Sequence, residues 1–355
     1  MAGAWAHLTI RLGSSRDVNI LLIQLKRIGD LILTAPAIAA LREHFSTAEI
    51  SLVASHGCRE LLPAIPGLTR TYVARGKLSD AGDWLSLANS QFDYCLDFSR
   101  TDRSAFLTLL SHARNRITYN TVRRSPVREL SYNEFVRSPV RFVHTIDYHL
   151  ALLTPLGIHA ASPNLDLKLP ESSRERAAQL LAERGVDENF VIIHPGSARV
   201  EKYWLPKRWA EVIDDCVARR GFTCILTGGQ STIEREHIAE IKSFVGEPVI
   251  DLSGKLDLLT LTALIERARI LLTVDSAPMH LASAVQTAQV VLFGPTNPFH
   301  WRPRFAPAAI LQGGLDGPLM DFSPERRPVP MKEISTGQVI NAMESLLSAT
   351  AATAL

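Results

Sequence analysis

Four cysteines in 355 residues leave no basis for a disulfide framework or a zinc finger. Cys58, Cys95, Cys216 and Cys224 form no C-x-x-C pair, and they read as buried free thiols in a reducing compartment. No apolar run reaches the ~18 residues that a spanning helix needs. The amino-terminal segment lacks the long apolar core and cleavage site of a secretory signal, so a cytoplasmic location is expected. Gly228-Gly229 is not followed by the G-K-[ST] of a P-loop, Gly196-Ser197 does not form the G-x-S-x-G elbow of hydrolases, and no G-x-G-x-x-G follows the first apolar strand. These absences argue against a P-loop NTPase, an elbow-type hydrolase and a nicotinamide oxidoreductase. Aromatic residues make up 7% of the chain and are sparse in its one basic stretch, and no nucleic-acid partner is expected. There is no short repeat and no low-complexity tract.

The chain is long enough for two α/β domains, and 46% hydrophobic with 21% charged residues is a globular composition. Net charge is only +2, yet nine arginines stand against three acids between Arg100 and Arg141. That stretch reads either as a surface for an anionic partner, such as a phosphorylated glycolipid or an acidic membrane, or as a solvated basic loop.

Residues 19–25 (NILLIQL) are a continuous apolar run of the kind buried on both faces of a parallel sheet. Residues 31–44 have helical periodicity, with Pro36 demanding either a start near Thr34 or a kink. Strands are expected at 49–54, 71–74, 94–97 and 115–119, with helices at 81–90 and 104–112 between them. Residues 120–142 are poorly periodic and read as a long loop. After a helix at 144–156, residues 157–169 are rich in Pro, Ser and Asn and mark a boundary, followed by a linking helix. Strands at 190–194, 223–227, 249–251, 270–273 and 288–293 alternate with helices in the second half. The expected organisation is a tail over 1–18, a doubly wound domain over 19–156, a linker over 157–187, a second such domain over 188–335 and a last helix over 336–355.

The most informative stretch is LLTVDSAPMHLASAVQTAQVVLFGPTNPFHWRP, residues 271–303. It reads as strand, tight turn, helix, strand, with its polar residues at the carboxyl ends of the strands, where open α/β sheets bind ligands. The turn at Asp275, Ser276 and Ala277 presents free N–H groups suited to phosphate. Asp275 and Ser276 also read as ordinary N-caps, and His280 as a core histidine. At the end of the first strand, KRIGD places Gly29 in a turn and Asp30 as a carboxylate able to accept a hydroxyl proton, or as a simple N-cap.

VDSAPMHLASAV followed by LFGPTNPFHWRP resembles the donor-site signature of the heptosyltransferases, glycosyltransferase family nine. K-x-x-G-D at Lys26 to Asp30, IIHPGSARVEKYWLPKRW and LTGGQSTIEREH are similar to its other motifs, in the family's order. The resemblance implies a GT-B fold, two Rossmann-like domains facing across a cleft. It also implies an inverting, metal-independent glycosyltransferase without a cofactor. Asp30 is then the general base and Lys202 the group that neutralises the departing nucleotide. Gly196 and Ser197 cradle the donor diphosphate, Gly228 and Gly229 let the nucleotide approach, and Glu234 or Glu236 holds the ribose. Asp275, Ser276, Ala277, Met279 and His280 complete the donor site, and Lys26, Arg27, Arg123 and Arg124 are acceptor-side candidates. Trp204, Pro206 and Trp209 read as structural. His144 and Asp147 resemble the family's H-x-x-D helix rather than a metal site. The implied donor is ADP-heptose, and the implied acceptor an anionic lipopolysaccharide core at the cytoplasmic membrane face, contacted peripherally. Alternatives are another nucleotide sugar or envelope glycan, or a silent nucleotide-sugar-binding protein; retention of Asp30 and Lys202 argues against the last.

Overall fold

The computed structural model of the chain describes residues 18–76 and 78–353. All of the expected tail except Val18 lies outside the described residues. The first half builds one parallel sheet from β1 (Asn19–Gln24), β2 (Glu49–Ser55), β3 (Arg70–Ala74), β4 (Tyr94–Asp97), β5 (Asn115–Tyr119) and β6 (Glu134–Val136), in the order β3-β2-β1-β4-β5-β6. The second half repeats the plan with β7 (Phe190–His194), β8 (Thr223–Leu226), β9 (Ile250–Asp251), β10 (Leu271–Val274), β11 (Gln289–Phe293) and β12 (Ala308–Gln312), ordered β12-β11-β10-β7-β8-β9. Each sheet therefore reverses direction once, between β1 and β4 and between β7 and β10. Such switch points open a crevice beyond the carboxyl ends of the strands.

The central strands are apolar on both faces because helices cover both, so Ile20 to Ile23 and Val191 to Ile193 are wholly buried. One apolar cluster runs without a break from Leu22 and Ile38 through Leu165, Leu167 and Leu169 of the linking segment to Leu264, Leu281 and Ala282 of the second half. The four cysteines are free and buried. Trp204 and Trp209 pack edge to face with centroids 5.0 Å apart, Pro206 opens the helix Pro206–Asp214, and all three are structural as expected. Among the described residues no helix is long and apolar enough to cross a membrane.

Of the two readings of the run at 31–44, the start near Thr34 is the one found: the regular helix is Ala35–His44, behind a separate short helix Ile28–Ile32, because Pro36 suits only a first turn and Thr34 takes the N-cap position ahead of it. Other local expectations are corrected. Residues 120–142 are not one loop: they hold a 3₁₀ turn (Asn120–Arg124), a short helix (Pro126–Glu129) and the edge strand β6, whose Phe135 packs on a small cluster of Ala105, Val122 and Tyr132. The edge strand β12 was not anticipated. The last helix, Thr336–Thr353, which the sequence left unassigned to either domain, buries Val339, Ala342 and Met343 in a core cluster with Val212 and Leu311 of the second half.

Candidate active site

Helix Ile28–Ile32 begins directly beyond β1 at the first switch point, and it carries Asp30. Arg27 holds the N-cap position, so Asp30 is not the cap. Its Oδ1 lies 3.7 Å from Lys26 Nζ. Burial pushes the Asp30 carboxyl above the usual aspartate range, with the Lys26 ammonium and the Arg27 backbone pulling the other way. Burial lowers the Lys26 ammonium; Asp30 opposes that and Arg100 adds to it. A buried network anchors this helix from below. Thr34 Oγ1 donates to Asp30 O at 2.8 Å and accepts from Gln24 Nε2 at 2.9 Å. His149 Nδ1 lies 3.1 Å from both Thr34 Oγ1 and Leu33 O, a geometry that requires its proton on Nδ1.

At the second switch point Asp275 follows β10. Lys202 Nζ donates to Asp275 Oδ2 at 2.6 Å and to its carbonyl at 2.9 Å, while Thr296 Oγ1 donates to the same Oδ2 at 2.5 Å. Asp275 is thus a counter-charge and not an N-cap. Ser276 stands at the N-cap position of helix Ala277–Ala284, but its side chain makes no capping bond. Glu234 sits in the first turn of helix Thr232–Phe244. Its carboxylate accepts from Gly229 N at 3.3 Å and from Ser231 Oγ at 3.0 Å. A Cβ on Gly196 or Gly229 would come within 2.4 Å of that carboxylate, so a side chain at either position would displace Glu234 from where it now stands.

The two halves meet over one cleft of about 870 Å³, lined by Lys26, Arg27, Gly29 and Asp30 on one side and by Gly196, Ser197, Lys202, Glu234, Asp275, Ser276, Ala277 and His280 on the other. His280 is buried, and burial lowers its imidazole to about 4, so the ring is neutral. It packs against the other half: a Cβ on Gly29 would lie 2.8 Å from His280 Cδ2.

Six sequence candidates fall outside the lining. Met279 points from its helix into a cluster with Val291 and Phe293, because its neighbours in sequence already occupy the cleft-facing side. Gly228 lies beneath the site against Ile238, and Gly229 reaches the cleft only through Glu234. Arg123 and Arg124 follow β5, two strands away from β1 and so ~10 Å across the sheet. Arg123 stacks on Phe135 and pairs with Glu129. Glu236, the rival of Glu234, is exposed and does not line the cleft.

Sequence reasoning gave no role to Thr296 or Ser55, which line the cleft together with Trp301. The position of Ser55 at the carboxyl end of β2 was a usable signal. The bond from Thr296 to Asp275 was not, since it spans two strand ends. The H-x-x-D pair clasps the domains together. His144 Nδ1 accepts from Ile146 N, so Nε2 carries the proton and donates to Arg302 O at 3.0 Å, while Asp147 pairs with Arg304 at 2.7 Å. Among the described residues no group of three or more His, Cys, Asp or Glu is arranged to hold a metal.

Residues 84–316 match glycosyltransferase family 9 (heptosyltransferase). The chain is 28% identical to lipopolysaccharide heptosyltransferase 3 of Escherichia coli over 78% of its own length and 83% of the relative's. Its fold superposes on the family 9 glycosyltransferase of Veillonella parvula with a TM-score of 0.79 at 24% identity, covering 94% and 97% of the two chains. It also superposes on the ADP-heptose lps heptosyltransferase II of Escherichia coli with a TM-score of 0.75 at 20% identity, covering 94% and 99%. The two facing sheets are those of a GT-B fold, and the chain belongs to glycosyltransferase family 9, the heptosyltransferases.

Proposed function

We propose that this enzyme moves heptose from ADP-heptose to a hydroxyl of a lipopolysaccharide core acceptor, with inversion and without a metal. The observation that carries the reading is the shared cleft, in which Asp30 from one switch point faces the Lys202–Asp275 pair from the other. The names of the relatives, lipopolysaccharide heptosyltransferase 3 and ADP-heptose lps heptosyltransferase II, support donor and acceptor class.

In this reading residues 19–156 receive the acceptor and residues 188–335 the donor. Asp30 takes the acceptor hydroxyl proton, and the raised affinity of its carboxylate for a proton makes it a better base than an exposed aspartate. The oxygen attacks the anomeric carbon from the face opposite the diphosphate, and a single displacement inverts that centre. Lys202 and the uncapped N–H groups at Ser276 and Ala277 take up the charge developing on the leaving nucleotide. Lys26 and Arg27 flank the acceptor. Glu234 binds the ribose, with Gly196 and Gly229 leaving it room. The acceptor is lipid-anchored, so the enzyme works peripherally at the cytoplasmic membrane face.

The test is mass spectrometry of products from a panel of nucleotide sugars on a bacterial core-oligosaccharide acceptor, with and without EDTA. Heptose addition from ADP-heptose that persists in EDTA is expected. Transfer of a different sugar, or loss in EDTA with rescue by magnesium, would overturn the corresponding part.

A further inference from the structure

Helix Asp102–Leu110 turns an unusual face outward. Asp102, Phe106 and Leu109 are spaced i, i+4, i+7 and share one stripe, on which Phe106 is 59% and Leu109 46% exposed. Asp102 is held by Arg128, whose guanidinium lies 2.5 Å from its carboxylate and also donates to Arg100 O at 3.1 Å. Arg128 belongs to the short helix Pro126–Glu129, in which Val127 precedes it and Leu130 caps the end; these two are 80% and 78% exposed. The Arg128–Asp102 bond therefore ties together the two segments that carry these exposed apolar pairs.

The stretch that forms this exposed surface is predominantly basic. Nine arginines stand against three acids from Arg100 to Arg141, and Asp102 and Glu129 are already engaged by Arg128 and Arg123. Arg124 is exposed and makes no hydrogen bond or ion pair with the described residues. Without lining the cleft, the surface thus combines four exposed apolar side chains with the guanidinium groups of Arg124 and Arg128. It matches a bilayer, whose acyl boundary accepts Val127 and Leu130 while anionic headgroups meet the arginines.

The position suits such a role. Arg100, to which Arg128 is tied, follows β4, the strand beside β1, and its charge acts on Lys26 at the cleft. We propose that the surface formed by Phe106, Leu109, Val127 and Leu130 with Arg124 is a docking face for an anionic phospholipid bilayer, which sets the acceptor-side mouth of the cleft against the membrane. This deepens the reading of a peripheral enzyme acting on a lipid-anchored acceptor and rests on it.

The experiment is co-sedimentation of the full chain with vesicles of phosphatidylethanolamine and phosphatidylglycerol, and separately of phosphatidylcholine alone, at low and high salt. The wild type should sediment with the anionic vesicles only, and less so at high salt. Val127→Asp combined with Leu130→Asp should lower the partition coefficient at least ~10-fold, and Arg124→Gln should reduce its salt dependence. Val127→Ser with Leu130→Ser, which adds no charge, should lower it in the same direction. Heptose transfer to a soluble, delipidated core oligosaccharide should stay at the wild-type rate in both double variants. Failure of the wild type to sediment, equal binding to neutral vesicles, or wild-type partitioning of both double variants would overturn the docking face. Vesicle binding by a protein inactive on the soluble acceptor would instead overturn the heptosyl-transfer reading and leave the docking face standing.

Discussion

Replacing Gly29 with alanine tests how closely the two domains must approach for Asp30 to act. The backbone at Gly29 is not in the left-handed region, so alanine introduces no conformational strain, and the effect of the methyl is purely spatial. The new Cβ would stand 2.8 Å from His280 Cδ2 and 3.2 Å from Nε2, whereas ordinary contact begins at 3.4 Å. His280 is buried at this contact but borders the cleft. The ~0.6 Å of relief comes from displacing its ring into the donor side of the cleft, from separating helix Ile28–Ile32 from helix Ala277–Ala284, or from both. Each route disturbs the approach of Asp30 to the donor. A misplacement of ~1 Å costs on the order of 10²-fold in rate, so a loss of ~10-fold or more in kcat is expected. Overpacking should also lower stability by ~1–3 kcal/mol. Gly57 lines the same cleft with nothing within 4 Å of its would-be Cβ, so Gly57→Ala is the matched control. Combining Gly29→Ala with His280→Ala should recover part of the lost stability, a coupling of ~0.5–3 kcal/mol in a double-mutant cycle. Wild-type kcat in Gly29→Ala, with additive effects in the cycle, would refute the close-approach argument.

Asp30→Asn should lower kcat by ~10²-fold or more with little change in nucleotide affinity. Because burial raises the Asp30 carboxyl and only its ionised form accepts a proton, the acid limb of kcat/KM should lie above the ordinary aspartate range; a limb below it would contradict the assignment. Lys202→Met should reduce kcat by ~10²–10³-fold, since it removes a leaving-group charge and leaves Asp275 unpaired beside the diphosphate. Adding Asp275→Asn should restore part of the activity, and no restoration would mean that Asp275 does more than balance Lys202. Burial lowers His149 to about 3, so between pH 6.5 and 3 the unfolded chain binds the extra proton, and stability falls as the solution is acidified through that window. At pH 5 the loss amounts to ~2 kcal/mol, and His149→Gln should reduce the pH slope of unfolding by about one proton, as measured by denaturant titration.

How much of this was legible in the sequence depended on where each signal resided. Continuous apolar runs such as Phe190–His194 identified the central strands, because strands covered on both faces have no other composition available. β6 and β12 were missed although the other two edge strands, β3 and β9, were not; Glu134–Val136 is only three residues long amid arginines. Pro36 announced a break without showing which of two geometries it would take. The residues that settle it, Thr34, Gln24 and His149, are brought together only by folding. Likewise, spacing alone could not separate Glu234 from Glu236. The difference lies in contacts with Gly196 and Gly229, which come from different strand ends. Arg123 and Arg124 were read from charge density, which says nothing about their distance from β1.

The unbroken apolar cluster shared by the two halves bears on how the chain folds as it is synthesised. All six strands of the first sheet have been made once Val136 has emerged, yet the surface they bury is completed by Leu264, Leu281 and Ala282. At ~5–20 residues per second the nascent first domain waits on the order of ten seconds with that face bare. No hairpin is available to hold it meanwhile, since every strand pair in both sheets is parallel. The interval is one in which a holding chaperone would engage Leu22, Ile38 and their neighbours. Ribosome-bound chains ended shortly after Val136 should therefore be far more protease-sensitive than chains ended after Val285.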